Sequence, residues 1–154
     1  MKVSAMFRAA IPALVASAAL ALAGCETMSS MWDSTKAVFR GNNVTLSGAE
    51  EAPPVKTAGS GSGTITVKDD KSVSGSVTIT GFTATAAHIH TGAAGRNGPV
   101  IVPLTKSSDG NTWSVSAGAK LTDAQYEAYK AGNLYVNVHS AANKGGEVRG
   151  QVKP

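Results

Sequence analysis

The chain has 154 residues and a formal net charge of +4 at pH 7, from 14 Lys and Arg against 10 Asp and Glu, and its length suits one small domain. The single cysteine excludes a disulfide bond within one chain and any zinc site built from several thiolates. Basic residues neither cluster nor interleave with the few aromatic ones, so the sequence does not indicate nucleic-acid binding.

Residues 1–24 have the pattern of an export signal. Lys2 and Arg8 are followed by an apolar run from Ala9 to Ala23, which is too short to span a bilayer comfortably. The run ends in Leu22-Ala23-Gly24-Cys25, which resembles the lipobox of bacterial lipoproteins, whose cysteine is lipidated and becomes the first residue of the mature protein. The alternative is an ordinary signal peptide or membrane anchor that carries a chance cysteine.

The lipobox reading predicts a protein that reaches the periplasm and is held on a membrane by acyl chains on Cys25. The residue after this cysteine is Glu26 rather than Asp, which by resemblance to lipoprotein sorting rules favours the outer membrane. Residues 25–41 are then a tether, in which Met28, Met31 and Trp32 have the spacing of an amphipathic helix or belong to a loose linker.

From residue 42 the sequence alternates short apolar and polar runs rich in Gly, Ser, Thr and Val, which is typical of β-strands. Polar clusters such as Asp69-Asp70-Lys71 and Asp109-Gly110-Asn111 separate the runs as turns. The strands are predicted around Val44, at Gly63–Val67, at Val73–Thr80, around His88, and at Val100–Leu104, Thr112–Val115, Leu134–His139 and Glu147–Val152.

Six to eight such strands predict an all-β domain over residues 42–154, an antiparallel Greek-key or Ig-like β-sandwich or a barrel. One short helix interrupts the strands. Thr122 and Gln125 have the spacing of a capping box, and Gly132 is a natural helix end, so the sequence predicts a helix from Thr122 to Ala131.

The three histidines of the chain are candidate metal ligands. His88 and His90 are two residues apart, so on a strand they project from the same face while Ile89 faces the other way. In the later strand His139 alternates with Val136 and Val138, which places it on the side away from the core. If the two strands are neighbours, three imidazoles could meet at one ion. The simplest alternative is a solvated polar face without a metal.

Five stretches of the chain together resemble the CHRD domain, a family named for chordin and found in many exported bacterial proteins, and the resemblance covers residues 43–152. The stretches run from Leu46 to Val55, Thr85 to His90, Gly98 to Leu104, Ala131 to His139 and Gly145 to Gly150. The resemblance implies the fold more than the activity, because the biochemical role of the family is poorly defined.

A weaker resemblance concerns the histidine pattern alone. His88 and His90, with His139 following Val136-Asn137-Val138, are similar to copper ligands of Cu,Zn superoxide dismutase, and Arg149 is similar to the arginine that guides the anionic substrate there. The segment from Thr91 to Pro99 has no His or Asp, so the zinc ligands of that family have no counterpart, and its disulfide is missing.

Three functions remain open at this point. The first is a membrane-anchored module that binds copper, or zinc, through His88, His90 and His139. The second is a dismutase-like redox enzyme in which Arg149 steers the anion, although the missing ligands weigh against an enzyme. The third is a structural or protein-interaction module of the envelope. For Glu147, Arg149 and Gln151 the alternation by itself indicates a solvated strand face.

Overall fold

The computed structural model describes residues 42–154. The predicted signal peptide at residues 1–24, the lipidation site Cys25 and the tether of residues 25–41 lie outside the described residues, so these remain predictions. None of the helices in the described part is long and apolar enough to cross a membrane.

Eight strands, one α-helix and one short 3-10 helix at Gly48–Glu50 make up the described part of the chain. In chain order the elements are β1 (Asn42–Ser47), β2 (Ser60–Val67), β3 (Val73–Thr80), β4 (Ala84–Thr91), β5 (Val100–Lys106), β6 (Thr112–Val115), α1 (Asp123–Lys130), β7 (Leu134–Ser140) and β8 (Val148–Val152).

The strands form one closed barrel in the order β1-β2-β3-β6-β5-β4-β7-β8, and every ladder is antiparallel. The order is of the Greek-key kind, because β4 pairs with β7 and β3 with β6 across long connections. The predicted all-β antiparallel fold with one short helix is therefore confirmed, and of the two predicted architectures the structure has the barrel.

The barrel interior is filled by the apolar half of each alternating strand. Leu46, Val77, Ile89, Val136 and Val148 are among the fully buried side chains that meet there. Closure joins every strand to two neighbours, although β1 and β8 pair only at Ser47 and Arg149.

The helix α1 begins where the capping box predicts. The Thr122 hydroxyl accepts a hydrogen bond from the Gln125 backbone N–H at 3.3 Å, and the Gln125 side chain accepts one from the Thr122 N–H at 2.8 Å. These two bonds satisfy amide groups that the first turn of a helix otherwise leaves unpaired. The helix leads by a short turn at Gly132 into β7, the strand that carries His139.

Candidate metal centre

The pairing of β4 with β7 brings the three histidines together on the outside of the barrel. His88 is opposite Asn137, and Ala86 is opposite His139, so His88 and His139 are diagonal neighbours on one face. His90 follows on the same face, opposite Tyr135. Because strand side chains alternate, this arrangement leaves Ala87 and Ile89 to face the core.

The ring nitrogens are close enough to share one ion. One nitrogen from each histidine lies within 4.8 Å of the other two, and His88 Nδ1 is 3.1 Å from His139 Nε2. Two nitrogens 3.1 Å apart, each bound at 2.0–2.1 Å, would subtend an angle of about 98° at a metal, between octahedral and tetrahedral values. Nitrogens on one ion are at most about 4.2 Å apart, so small ring movements suffice for the third ligand.

Two backbone carbonyl groups orient the rings. His90 Nδ1–H donates to the Gly98 carbonyl at 2.9 Å, and His139 Nδ1–H donates to the Lys144 carbonyl at 3.0 Å. A carbonyl oxygen only accepts, so the proton of each neutral ring is on Nδ1 and the lone pair is on Nε2. His90 Nε2 is buried and has no hydrogen-bond partner within residues 42–154. The Nδ1–H bonds of His90 and His139 to backbone carbonyls are of the kind that usually orients metal-binding histidines.

The surroundings favour the neutral form of all three rings. Burial is the largest cause that lowers the pKa of His88, His90 and His139, and for His88 the neighbouring imidazoles lower it further. The carbonyl bonds to His90 and His139 act in the opposite direction but do not reverse the shift. A metal needs the unprotonated imidazole, so the cluster is in a ligating state at neutral pH.

Tyr135 is stacked between a ligand candidate and a buried cation. Its ring lies 4.9 Å from that of His90 at an interplanar angle of 16°, and the Arg149 Cζ is 3.5 Å from the Tyr135 centroid. The Tyr135 hydroxyl also accepts a hydrogen bond from the Gly98 N–H at 3.1 Å. Tyr135 therefore packs against His90 and also binds Gly98, the residue whose carbonyl orients His90.

The prediction of a solvated face at the last strand is wrong for Arg149, which is 1% exposed. Its Nη2 donates to the carbonyls of Ala93 and Arg96 at 2.8 and 3.0 Å and to the Gln151 side chain at 3.0 Å. The segment between β4 and β5 covers this side of the barrel, and strand alternation alone carries no signal of such a cover. Arg149 holds that segment and has no face open to an approaching anion.

Glu147 precedes β8 and is also buried, at 6% exposure. Its carboxylate accepts hydrogen bonds from Thr57, from the Ser140 hydroxyl at 2.6 Å and from the Asn143 amide at 2.6 Å. These bonds lower its pKa and use both oxygens. Glu147 is thus a structural anchor for the turn between β7 and β8, whose Lys144 carbonyl orients His139, rather than a general base.

Glu51 is a buried carboxylate that no sequence pattern indicated, and it lies in the stretch from Leu46 to Val55 that carries the family resemblance. The side chain is 5% exposed, and burial raises its pKa to about 7, against the lowering effects of Arg149 and of a long hydrogen bond from Asn137 at 3.4 Å. Glu51 follows a 3-10 turn and falls in no alternating pattern, so periodicity offers no signal for its burial.

A pocket of about 500 Å³ opens beside two of the three histidines. Its wall consists mostly of small side chains and contains a single charged residue. The lining residues are Thr85, Ala86, His88, His139, Ser140, Ala141 and Lys144.

The sequence model of the CHRD domain matches residues 43–152, which is most of the chain. No curated protein and no solved structure matches.

Proposed function

The chain belongs to the CHRD domain family, and we propose that it binds one copper or zinc ion through His88, His90 and His139. The observation that carries the proposal is the convergence of three imidazole nitrogens within 4.8 Å of one another. The Nδ1–H bonds of His90 and His139 to backbone carbonyls support the proposal, because they leave the Nε2 lone pair of each ring free to bind a metal.

The donor set limits which metals fit. Residues 42–154 contain no cysteine and no methionine, so the described domain offers no sulfur ligand. Imidazole suits copper and zinc, whereas calcium and magnesium prefer oxygen donors, and no carboxylate belongs to the cluster. Copper(II) is the tightest binder among divalent first-row metals, and zinc accepts the same three nitrogens.

A titration calorimetry experiment tests this proposal directly. We expect the full chain to bind one equivalent of Cu(II) or Zn(II), and both His88→Ala/His90→Ala and His139→Ala to lose at least about a hundredfold in affinity, since even outer hydrogen-bond partners contribute tenfold or more. The control is Thr78→Ala/Thr80→Ala, which removes two exposed side chains at the same spacing on β3.

Two results would reject the metal proposal. One is equal affinity in the wild type and the histidine variants, with circular dichroism showing that all of them are folded. The other is a wild-type protein that binds neither ion at micromolar concentrations.

A dismutase-like activity ranks below simple metal binding. The burial of Arg149 removes the feature that suggested anion steering. An assay of superoxide consumption by the Cu(II)-loaded chain, compared with free Cu(II) at equal concentration, tests this alternative, and rates no higher than those of the His139→Ala variant would exclude it. The third alternative is a protein-interaction module of the envelope. If it is correct, removing metal ions with a chelator should leave binding to the protein partner unchanged.

The location belongs to the proposal as well. The motif Leu22-Ala23-Gly24-Cys25 supports lipidation of Cys25 and tethering on the periplasmic side of a membrane, and Glu26 supports the outer membrane. In a bacterial host fed a radiolabelled fatty acid, we expect the wild type to be labelled and to sediment with the outer membrane. The Cys25→Ser variant should be unlabelled, and a labelled variant would contradict lipidation at Cys25.

A further inference from the structure

The surroundings of the histidine cluster are asymmetric. His90 is buried against Tyr135 and the segment that ends at Gly98, whereas His88 and His139 form part of the wall of the 500 Å³ pocket. Protein therefore covers the His90 side of an ion held by the three rings, and the side toward the pocket is open. Three protein ligands and an open side leave room for a ligand that the chain does not provide.

The charged residue beside the open side is positive. Lys144 is the single charged residue in the pocket wall, and no carboxylate lines it. Within residues 42–154 its ammonium group makes no ion pair, while its backbone carbonyl is fixed by the bond from His139. Neutral imidazoles would leave the charge of a divalent ion uncompensated, so metal and ammonium would together attract an anion.

The pocket is large enough to hold an anion beside the histidine cluster. Ala86 and Ala141 contribute only methyl groups to the wall, which leaves the volume of about 500 Å³ free beside the ring nitrogens. This is within the range of small-molecule sites in proteins. It accommodates a single-donor inorganic anion or a short monocarboxylate with its apolar part against the alanines.

We infer that the metal centre takes a small monodentate anion at its open position, from the pocket that His88, His139 and Lys144 line, and that the Lys144 ammonium contributes to its affinity. The inference rests on the proposed metal binding. Binding is a ligand exchange in which the anion donates a lone pair to the metal and a water molecule leaves, so neither metal nor anion is oxidised or reduced.

Azide binding to the Cu(II)-loaded full chain tests the inference, because azide bound to Cu(II) gives a charge-transfer absorption. We expect a saturable band in the wild type. Lys144→Gln should raise the azide Kd about fivefold, the upper range for one partly exposed charge pair, and Lys144→Arg should restore most of the affinity. The control Lys68→Gln changes a lysine in the β2–β3 turn, on the opposite side of the barrel, and should leave the Kd unchanged.

A neutral ligand distinguishes the effect of the Lys144 charge from access to the open metal position. Pyridine should bind the wild type and the Lys144→Gln variant with equal Kd, because it needs the open position and not the ammonium. If the chain binds Cu(II) but gives no azide band, or if azide Kd is the same with Lys144→Gln, the inference is overturned while metal binding stands. A chain that binds no Cu(II) overturns both.

Discussion

At the scale of single residues, Glu51 and Asn137 are the unusual pair. Glu51 Oε1 and Asn137 Oδ1 are both buried without a hydrogen-bond partner within the described residues. They lie 2.6 and 2.5 Å from the position that a Cβ on Gly146 would occupy, so only a glycine fits between them. A proton on Glu51 would remove the charge of the buried carboxylate and supply a hydrogen-bond donor in a place that now holds two unpaired acceptor oxygens. The pKa of about 7 for Glu51 agrees with a carboxylic acid in this place.

This pair predicts a loss of stability between slightly acidic and neutral pH. Below pH 4.5, the ordinary value, Glu51 is protonated in both states, and its contribution is fully present. As pH rises toward about 7 the folded state keeps a proton that the unfolded state releases, so the free energy of unfolding falls by about 1.4 kcal/mol per pH unit, roughly 3 kcal/mol in all. Glu147 has the opposite shift, and its stabilisation is lost at acidic pH.

The variant Glu51→Gln imitates the neutral acid at every pH. We expect its free energy of unfolding in urea to match the wild type near pH 4, where Glu51 is mostly protonated in both states, and to exceed it at pH 8 by about 3 kcal/mol. The contribution of Glu147 cancels, because both proteins have it. The control is Glu50→Gln at the exposed neighbouring position, which should keep the wild-type pH dependence. Equal pH profiles of the wild type and Glu51→Gln would show that Glu51 is not protonated when buried.

At the scale of elements, the outer face of β4, β7 and β8 is covered by connecting segments. Arg149 ties the segment of residues 92–99 to β8 through the carbonyls of Ala93 and Arg96, and that segment supplies the Gly98 carbonyl to His90. Gln151 adds bonds to the carbonyls of Gly92 and Gly132 at 3.2 and 3.0 Å. Arg149 and Gln151 therefore help to orient His90, a proposed metal ligand, although neither makes a hydrogen bond to it.

This arrangement makes Arg149 a positioning residue. We expect Arg149→Lys to weaken Cu(II) or Zn(II) binding about tenfold, since the ammonium lacks the planar group that stacks on Tyr135 and the second nitrogen that donates to Asn97. The affinity is measured by calorimetry well below the melting temperature, where circular dichroism shows an intact barrel. Arg96→Lys, an exposed change in the same segment, is the control. An unchanged Kd in Arg149→Lys would mean that the segment holds Gly98 without the guanidinium.

The elements also show what the sequence predicts and what it does not. Alternation predicted most strands within a few residues, and the spacing of Thr122 and Gln125 predicted the start of α1, because both are local patterns. The common face of His88 and His90 follows from strand geometry in the same way. Their meeting with His139 depends on the pairing of β4 with β7 across 51 positions, which no periodicity specifies. The covering segments were missed for the same reason.

At the scale of the whole described domain, the barrel does not depend on the metal for its core. The buried apolar side chains come from all eight strands and from Leu121 and Tyr129 near or in α1, while the histidines lie outside the barrel. Hydrophobic burial is the main source of folding free energy. The three histidine rings are also already close together, so little ordering would accompany metal binding. This differs from small zinc domains, which are unfolded without their metal.

The domain should therefore fold without metal and gain stability with it. We expect the chelator-treated chain to keep its β-sheet circular dichroism at 25 °C. Zn(II) at about a hundred times its Kd should raise the free energy of unfolding by about 2.7 kcal/mol, equivalent to roughly 10 °C in Tm for a domain of this size. Scanning calorimetry measures the shift, and His88→Ala/His90→Ala should melt at one temperature with or without Zn(II). Loss of the sheet signal on chelation would contradict this prediction. Removing an ion from the outer face should not unfold a barrel whose stability comes from its buried interior.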